Sequence, residues 1–194
     1  MDKFVENGGY FDQNKKILAV VEEVANNYCS EDEVVYIGIK GAFKEYLIAT
    51  DKKIYLYKKG FMTGKTFGFS IFQLDYDSIS AIQINKQFGG AGYIEIIGMG
   101  MENRHDLSYW KTDKRNDPVK QDNCLSFNGN REFYITAVKH INELMLLTKN
   151  REAATEREIS FNKFDEIKKY KELLELGIIT DEEFIAKKDE LLDS

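Results

Sequence analysis

The sequence predicts an α+β protein in which a small, partly open barrel of antiparallel strands follows one helix and precedes others. Three observations predict this class. Helical spacing of apolar residues gives way to alternation at Glu33, a long amphipathic stretch follows the last strand, and Gly177 interrupts a final apolar helix. The chain has 194 residues, 43% of them hydrophobic, which is enough for one core with a small appendage.

The first element is a helix from Asn14 to Tyr28. Apolar side chains recur there at helical spacing, while Glu22 and Glu23 face outward. The stretch CSEDE then breaks the pattern, so residues 1–32 form an N-terminal helical segment.

Seven short strands follow between residues 33 and 129. They are rich in Val, Ile, Tyr and Phe, and they read EVVYIGIK, EYLIAT, KIYLYKK, TFGFSIFQL, SISAIQINK, GYIEIIG and NCLSFNG. In KIYLYK, Ile54 and Leu56 share one face, while Tyr55 and Tyr57 share the other. Because no helix separates these strands, we expect antiparallel hairpins.

A long amphipathic helix, REFYITAVKHINELMLLTK, should close the barrel and complete a domain of residues 33–150. Its apolar stripe is predicted to comprise Phe133, Ala137, Ile141, Leu144 and Leu147. Phe133 and Ile141 should share one core with strand residues, namely Ile54, Leu56, Ile82, Ile94 and Ile96. The charged linker that follows, residues 151–163, is helix-prone and could extend this helix.

The strand region also resembles the core of bacterial pleckstrin-homology (PH) domains of the YokE-like kind. The resemblance rests on the strand end from Thr50 to Lys53, a glycine-containing loop, and a Tyr-x-x-Ile-x-x-Ile pattern at Tyr76, Ile79 and Ile82. It extends from about Glu33 to Lys149 and implies a PH-like, seven-stranded antiparallel β-barrel capped by a C-terminal helix. The chain departs from the family by a long insertion, residues 99–123.

Residues 164–194 encode a helix, a tight turn and a second helix. Gly177 stands where the end of a helix requires a left-handed conformation. Thr180 and Glu183 have the spacing of a capping box, and Ile179 and Phe184 that of a hydrophobic staple. Helices of about three turns are marginal in water, so their apolar faces need a further surface.

This stretch also closely resembles the SHOCT (short C-terminal) domain. The residues that match the family pattern are Ile167, Leu173, Gly177, Ile178, Ile179, Thr180, Glu183, Phe184, Lys188, Leu191 and Leu192, with Tyr170 in place of one leucine. The resemblance implies an appended assembly module without catalytic residues. We therefore expect a homo-oligomer, or docking of another protein, through Ile167, Tyr170, Leu174, Ile179, Phe184 and Leu191.

Five lysines lie in or beside the first and third hairpin loops: Lys40, Lys44, Lys58, Lys59 and Lys65. In PH domains these loops rim the lipid-headgroup site, so clustered lysines could hold phosphate. The alternative is that lysines are common on exposed loops and strand ends, and the weak pattern favours it because no arginine accompanies them. We expect at most weak, salt-sensitive binding to an anionic membrane surface.

The insertion contains Tyr109, Trp110 and Arg115, residue types that are favoured at protein interfaces. It is either an interaction surface or an extension of the two flanking strands as a long hairpin. The sequence leaves both alternatives open.

Composition disfavours several classes of function. The net charge is −6, and residues 151–194 hold thirteen acidic and eight basic side chains, so nucleic-acid binding is not expected. The glycines of QFGGAGY do not open a helix, as a dinucleotide site requires. The two histidines are too isolated for a metal site.

No cysteine, histidine or serine has neighbours that suggest a nucleophile and its base. We therefore expect no catalytic residue, metal or cofactor, and a protein that is not an enzyme. No secretory signal or membrane span is visible, and the two cysteines suit a reducing cytoplasm. The sequence as a whole predicts a binding or scaffold protein of a bacterium or phage.

Overall fold

The computed structural model describes residues 3–5, 8–101, 107–108 and 117–193, with side chains throughout these ranges except at 65–67, 152, 156–161 and 193. The chain forms two compact units, Met1–Thr148 and Lys149–Ser194. The strands of the first unit are β1 Tyr10–Phe11, β2 Val35–Lys40, β3 Glu45–Thr50, β4 Lys53–Gly60, β5 Lys65–Asp75, β6 Ile79–Lys86, β7 Ala91–Gly98 and β8 Cys124–Asn128. The helices are α1 Lys15–Tyr28, α2 Arg131–Glu175 and α3 Asp181–Asp193.

The strands form two sheets, one of order β1-β2-β3-β4-β5 and one of order β6-β7-β8. Neighbouring strands are antiparallel except for β1, which pairs with β2 in parallel. The predicted α+β class, with seven antiparallel strands and a following helix, is confirmed. Within the described residues no strand pairing joins the two sheets, so they form an open pair rather than a closed barrel.

The main core contains the apolar face of β4, strands of the second sheet and the first part of α2. The predicted core is confirmed: Ile54, Leu56, Ile94, Ile96 and Ile141 are buried, with Ile82 and Phe133 partly buried against them. Leu147 was wrongly placed on the core stripe of α2.

Leu147 is 66% exposed, whereas Thr148 is buried and its hydroxyl donates to the Asp51 carbonyl at 3.0 Å. The stripe continues from Leu144 by a step of four residues, which the helical period allows as readily as a step of three.

A second core lies on the other face of the five-stranded sheet. Val21, Val24 and Ala25 of α1 pack there with Tyr55 and other buried side chains of the sheet. The Asn14 side chain caps this helix by accepting from the Lys16 backbone N–H at 2.9 Å. Because both faces of this sheet are covered, β3 is buried along its whole length.

The second unit is helical. Residues 151–163 lie within α2, so the prediction that the linker can extend the closing helix is confirmed. The expectation that the first helix of the hairpin has about three turns is wrong, because that helix is the end of the 45-residue α2. None of the helices in the described part of the chain is both long and apolar enough to cross a membrane.

Candidate functional site

The first candidate site surrounds a pair of lysines at the β3–β4 hairpin. The backbone N–H of Lys59 donates to the Lys44 carbonyl at 2.9 Å, directly beyond the paired residues Glu45 and Lys58. Lys44 and Lys59 are therefore cross-strand neighbours, and both side chains are exposed. Like charges in this arrangement repel each other, so the pair would be stabilised by a nearby anion.

A groove of about 480 Å³ opens beside this pair and is termed here the lysine groove. Its lining residues are Lys40, Phe43, Lys44, Lys59, Gly60, Phe61 and Met62. It therefore brings together three of the five predicted lysines with large apolar side chains. Phe43, Phe61 and Met62 were not predicted from the sequence, although apolar residues in a glycine-bounded loop are a detectable signal.

The turn that carries Phe61 and Met62 exposes both side chains. A 3-10 turn, Phe61–Thr63, lies between Gly60 at φ 93° and Gly64 at φ 80°, conformations that suit glycine. Phe61 is 75% exposed and Met62 is 55% exposed. Adjacent exposed apolar side chains rimmed by polar residues are a feature of binding sites.

A smaller depression of about 180 Å³ shares Lys44 and Lys59 and is also lined by Glu23, Tyr46 and Tyr57, so one carboxylate lies near the lysine pair without forming an ion pair with it. Burial raises the pKa of both phenols, and the Glu23 carboxylate raises it further. The two tyrosines therefore stay protonated well above neutral pH.

Lys58 was expected near an exposed loop, and that expectation is wrong. Its Nζ donates to Glu45 Oε1 and to the Val119 carbonyl, each at 2.8 Å, and neither charged side chain is more than 1% exposed. Strand alternation places Lys58 on the face opposite Lys59. Lys58 therefore cannot present its charge to an external ligand.

The buried pair is completed by a hydroxyl. Ser126 donates to the second oxygen of Glu45. Burial raises the pKa of Glu45, while the Lys58 ammonium opposes this shift. Through the Val119 carbonyl, the network holds one end of the insertion against the sheet.

The remaining predicted sites of the first unit are less fully described. Lys65 begins β5, and its side chain lies outside the described residues. Tyr109, Trp110 and Arg115 also lie outside them. Where the insertion is described, β7 has ended at Gly98 and β8 has not begun, so those residues do not extend the strands.

The second candidate site is the C-terminal hairpin, whose predicted turn is confirmed in detail. Gly177 adopts φ 70°, and its N–H donates to the Leu174 carbonyl while that of Ile178 donates to the Leu173 carbonyl, each at 2.9 Å. These bonds form a Schellman motif, which satisfies carbonyl groups at the end of α2.

The predicted capping box is also present. The Thr180 N–H donates to Glu183 Oε2 at 2.9 Å, and the Glu183 N–H donates to Thr180 Oγ1 at 3.2 Å. This reciprocal pair fixes the start of α3. Ile179 and Phe184, the predicted staple, are both half-buried.

The apolar faces of the hairpin are not covered. Across residues 149–192, no side chain that the structure describes is buried, and the most exposed large apolar ones are Phe164, Leu176, Ile178, Ile185 and Leu192. The predicted interaction residues are half-buried: Ile167, Tyr170, Leu174, Ile179, Phe184 and Leu191. The predicted residues are thus the less exposed apolar positions of the hairpin, and the more exposed Leu176 and Ile185 were not among them.

The described residues offer no group of potential metal ligands. They contain no cluster of three His, Cys, Asp or Glu side chains that could hold a metal. Burial, followed by the charge of Glu33, raises the pKa of the Cys29 thiol to about 11. The ring centroid of His140 lies 4.9 Å from that of Tyr10, with the two rings tilted by 34°, and His140 Nδ1 lies 3.2 Å from Glu143 Oε2 on the surface of α2.

Comparison with known proteins identifies the hairpin. Residues 165–192 match the family model of SHOCT, the short C-terminal domain, which confirms that assignment. Among solved structures, the chain is similar to a pleckstrin homology domain from Shewanella amazonensis SB2B. That likeness has 16% sequence identity and a TM-score of 0.38, and it covers 47% of this chain and 72% of the other. No curated protein matches the chain.

Proposed function

We propose that this protein is a non-enzymatic binding and scaffold module, in which a PH-like domain carries a hairpin that mediates self-assembly or docking. The observation that supports this most is the contrast within the hairpin. Its turn and cap are complete, yet its apolar side chains remain uncovered. Leu176 and Ile178 remain exposed although the hydrogen bonds around them are complete. Exposed apolar side chains on a well-defined structure are typical of an interaction surface.

Energetics favour a partner for this hairpin. The second helix of the hairpin, α3, has only 13 residues, and a helix of that length gains most of its stability from packing rather than from propensity. Full burial of one Leu, Ile or Phe side chain contributes about 1.5–3 kcal/mol. Several such side chains are exposed in the second unit, so their burial can offset the loss of freedom on association.

Light scattering at several protein concentrations tests this proposal. We expect the full chain to be a homo-oligomer, and a chain cut before Phe164 to dissociate or to assemble more weakly. Phe184→Ala should weaken assembly by about 3–5 kcal/mol if the ring becomes fully buried in the oligomer.

Ser160→Ala, outside the hairpin, is the matched control for Phe184→Ala and should leave the mass unchanged. A monomeric full chain, or a truncation of unchanged mass, would exclude assembly through the hairpin. In that case the hairpin would remain a docking site for a different protein.

A second candidate function is weak binding of an anionic membrane or a phosphorylated ligand. The lysine groove favours it, because three cations and two exposed apolar side chains, Phe61 and Met62, lie together there. Vesicles of phosphatidylcholine with and without phosphatidylserine test it at two salt concentrations. We expect weak binding that modest salt removes, and that Lys44→Ala with Lys59→Ala abolishes.

Tight, salt-resistant binding to one headgroup would instead assign a specific lipid function to the groove. A cytoplasmic location in a bacterium, or in a cell that carries a phage, belongs to this proposal, because neither Cys29 nor Cys124 forms a disulfide.

A further inference from the structure

The lysine groove has the properties of a site for an acidic, apolar partner. Lys44 and Lys59 repel each other across the hairpin, and neither forms an ion pair with any described side chain. Phe61 and Met62 stand exposed beside them. A suitable occupant therefore carries carboxylates next to large aliphatic side chains.

The turn of the C-terminal hairpin has the complementary properties. Leu176 is 73% exposed and Ile178 is 65% exposed. Asp181 and Glu182 follow in the first turn of α3, both exposed and neither paired with a described cation. These four residues, termed here the hairpin turn, combine two aliphatic side chains with two carboxylates within seven positions.

Charge distinguishes between the possible occupants of the groove. Residues 164–194 hold ten acidic and five basic side chains, so two hairpins repel each other while the lysine pair attracts one. A second copy of the chain supplies the complementary segment at the same concentration as the groove.

We propose that the lysine groove of one copy receives the hairpin turn of a second copy. This inference rests on the self-assembly proposed above and names its contact. Asp181 and Glu182 would face Lys44 and Lys59, and the aliphatic side chains would cover Phe61 and Met62. Such a contact joins two different surfaces, so it closes by reciprocal exchange or as a ring, or extends as a filament.

Charge reversal in the full chain tests the contact. One variant carries Lys44→Glu with Lys59→Glu, and the other carries Asp181→Lys with Glu182→Lys. Each alone should weaken assembly by about tenfold or more, because two repulsive contacts replace two attractive ones. Mixing the two variants, or combining all four substitutions in one chain, should restore assembly.

Matched controls carry the same charge changes elsewhere: Lys15→Glu with Lys16→Glu, and Glu166→Lys with Asp189→Lys. They should assemble as the original chain does. Circular dichroism confirms that each variant is folded, and Asp181→Asn with Glu182→Gln provides a milder change if the reversed turn loses helix.

The outcomes separate this inference from the function on which it rests. If truncation before Phe164 dissociates the oligomer while groove reversal does not, the hairpin assembles by another contact and the inference is overturned. The inference is also overturned if the two variants fail to assemble when they are mixed. A groove reversal that abolishes binding to phosphatidylserine vesicles but leaves assembly unchanged would overturn it as well. A monomeric full chain would refute both proposals.

Discussion

Replacing Lys58 by Met tests whether the buried network, rather than a surface ligand, accounts for this lysine. The substitution keeps a long apolar stem but removes the cation that faces Glu45 at 2.8 Å and the donor to Val119. Removing one partner of a buried ion pair typically costs about 3–5 kcal/mol, because the other charge is left uncompensated. For a chain of this size, that loss lowers the melting temperature by roughly 10 °C.

Urea unfolding followed by circular dichroism measures the loss directly. Lys59→Met, at the exposed neighbour, is the control and should change stability by less than about 0.5 kcal/mol. Lys58→Met combined with Glu45→Leu should recover much of the loss, since an apolar pair leaves no buried charge. Equal, small effects of Lys58→Met and Lys59→Met would refute the assignment of Lys58 to a buried network.

The stability of the Lys58→Met variant should also depend on pH. Burial already raises the pKa of Glu45, and loss of Lys58 removes the main opposing charge. A carboxyl whose pKa is raised in the folded state lowers the free energy of unfolding as the pH rises from the unfolded-state pKa to the folded-state pKa. The loss of unfolding free energy that Lys58→Met causes should therefore be smaller at pH 5 than at pH 7.

Three further predictions concern the cores and the cap. Ile141→Asp should cost about 4 kcal/mol or more and unfold the first unit, whereas Leu147→Asp on the exposed face should be tolerated; thermal melts compare the two. Cys29 and Cys124 should react with a thiol reagent at neutral pH only after denaturation, since both are buried, and fast labelling of the folded chain would contradict this. Thr180→Ala should lower the helicity of an isolated hairpin peptide by removing about 1 kcal/mol of capping, while Thr180→Ser should retain it.

Local patterns predicted most elements of the first unit. Each strand from β2 to β8 has alternating or continuous β-branched and aromatic residues, so its period identified it without knowledge of its neighbours. β1 has two residues, Tyr10 and Phe11, which is too short to show a period. It forms because β2 offers a parallel partner at Ile37 and Gly38, a contact that local sequence does not reveal.

The lysines show where local reasoning fails. Lys58 and Lys59 are adjacent and chemically identical, and both follow the apolar part of β4. Their different environments depend on Glu45, thirteen positions away, and on Val119, sixty-one positions away. A prediction from loop position alone gave them the same role, whereas strand alternation at this site separates a buried structural cation from an exposed one.

In the hairpin, local sequence determines the geometry of the turn but not the partner of the apolar face. Every hydrogen bond of its turn joins residues at most five positions apart, so the glycine and the capping box predicted that geometry from sequence. The partner of its apolar face is not a local property, because exposure of Leu176 and Ile178 states only that burial would be favourable. The sign of the charge favours one kind of partner: an acidic turn is repelled by another acidic turn and attracted by the exposed cations Lys44 and Lys59. For this reason the sign of the charge, more than the amount of apolar surface, favours a contact between unlike surfaces of two copies over a symmetric pairing of hairpins.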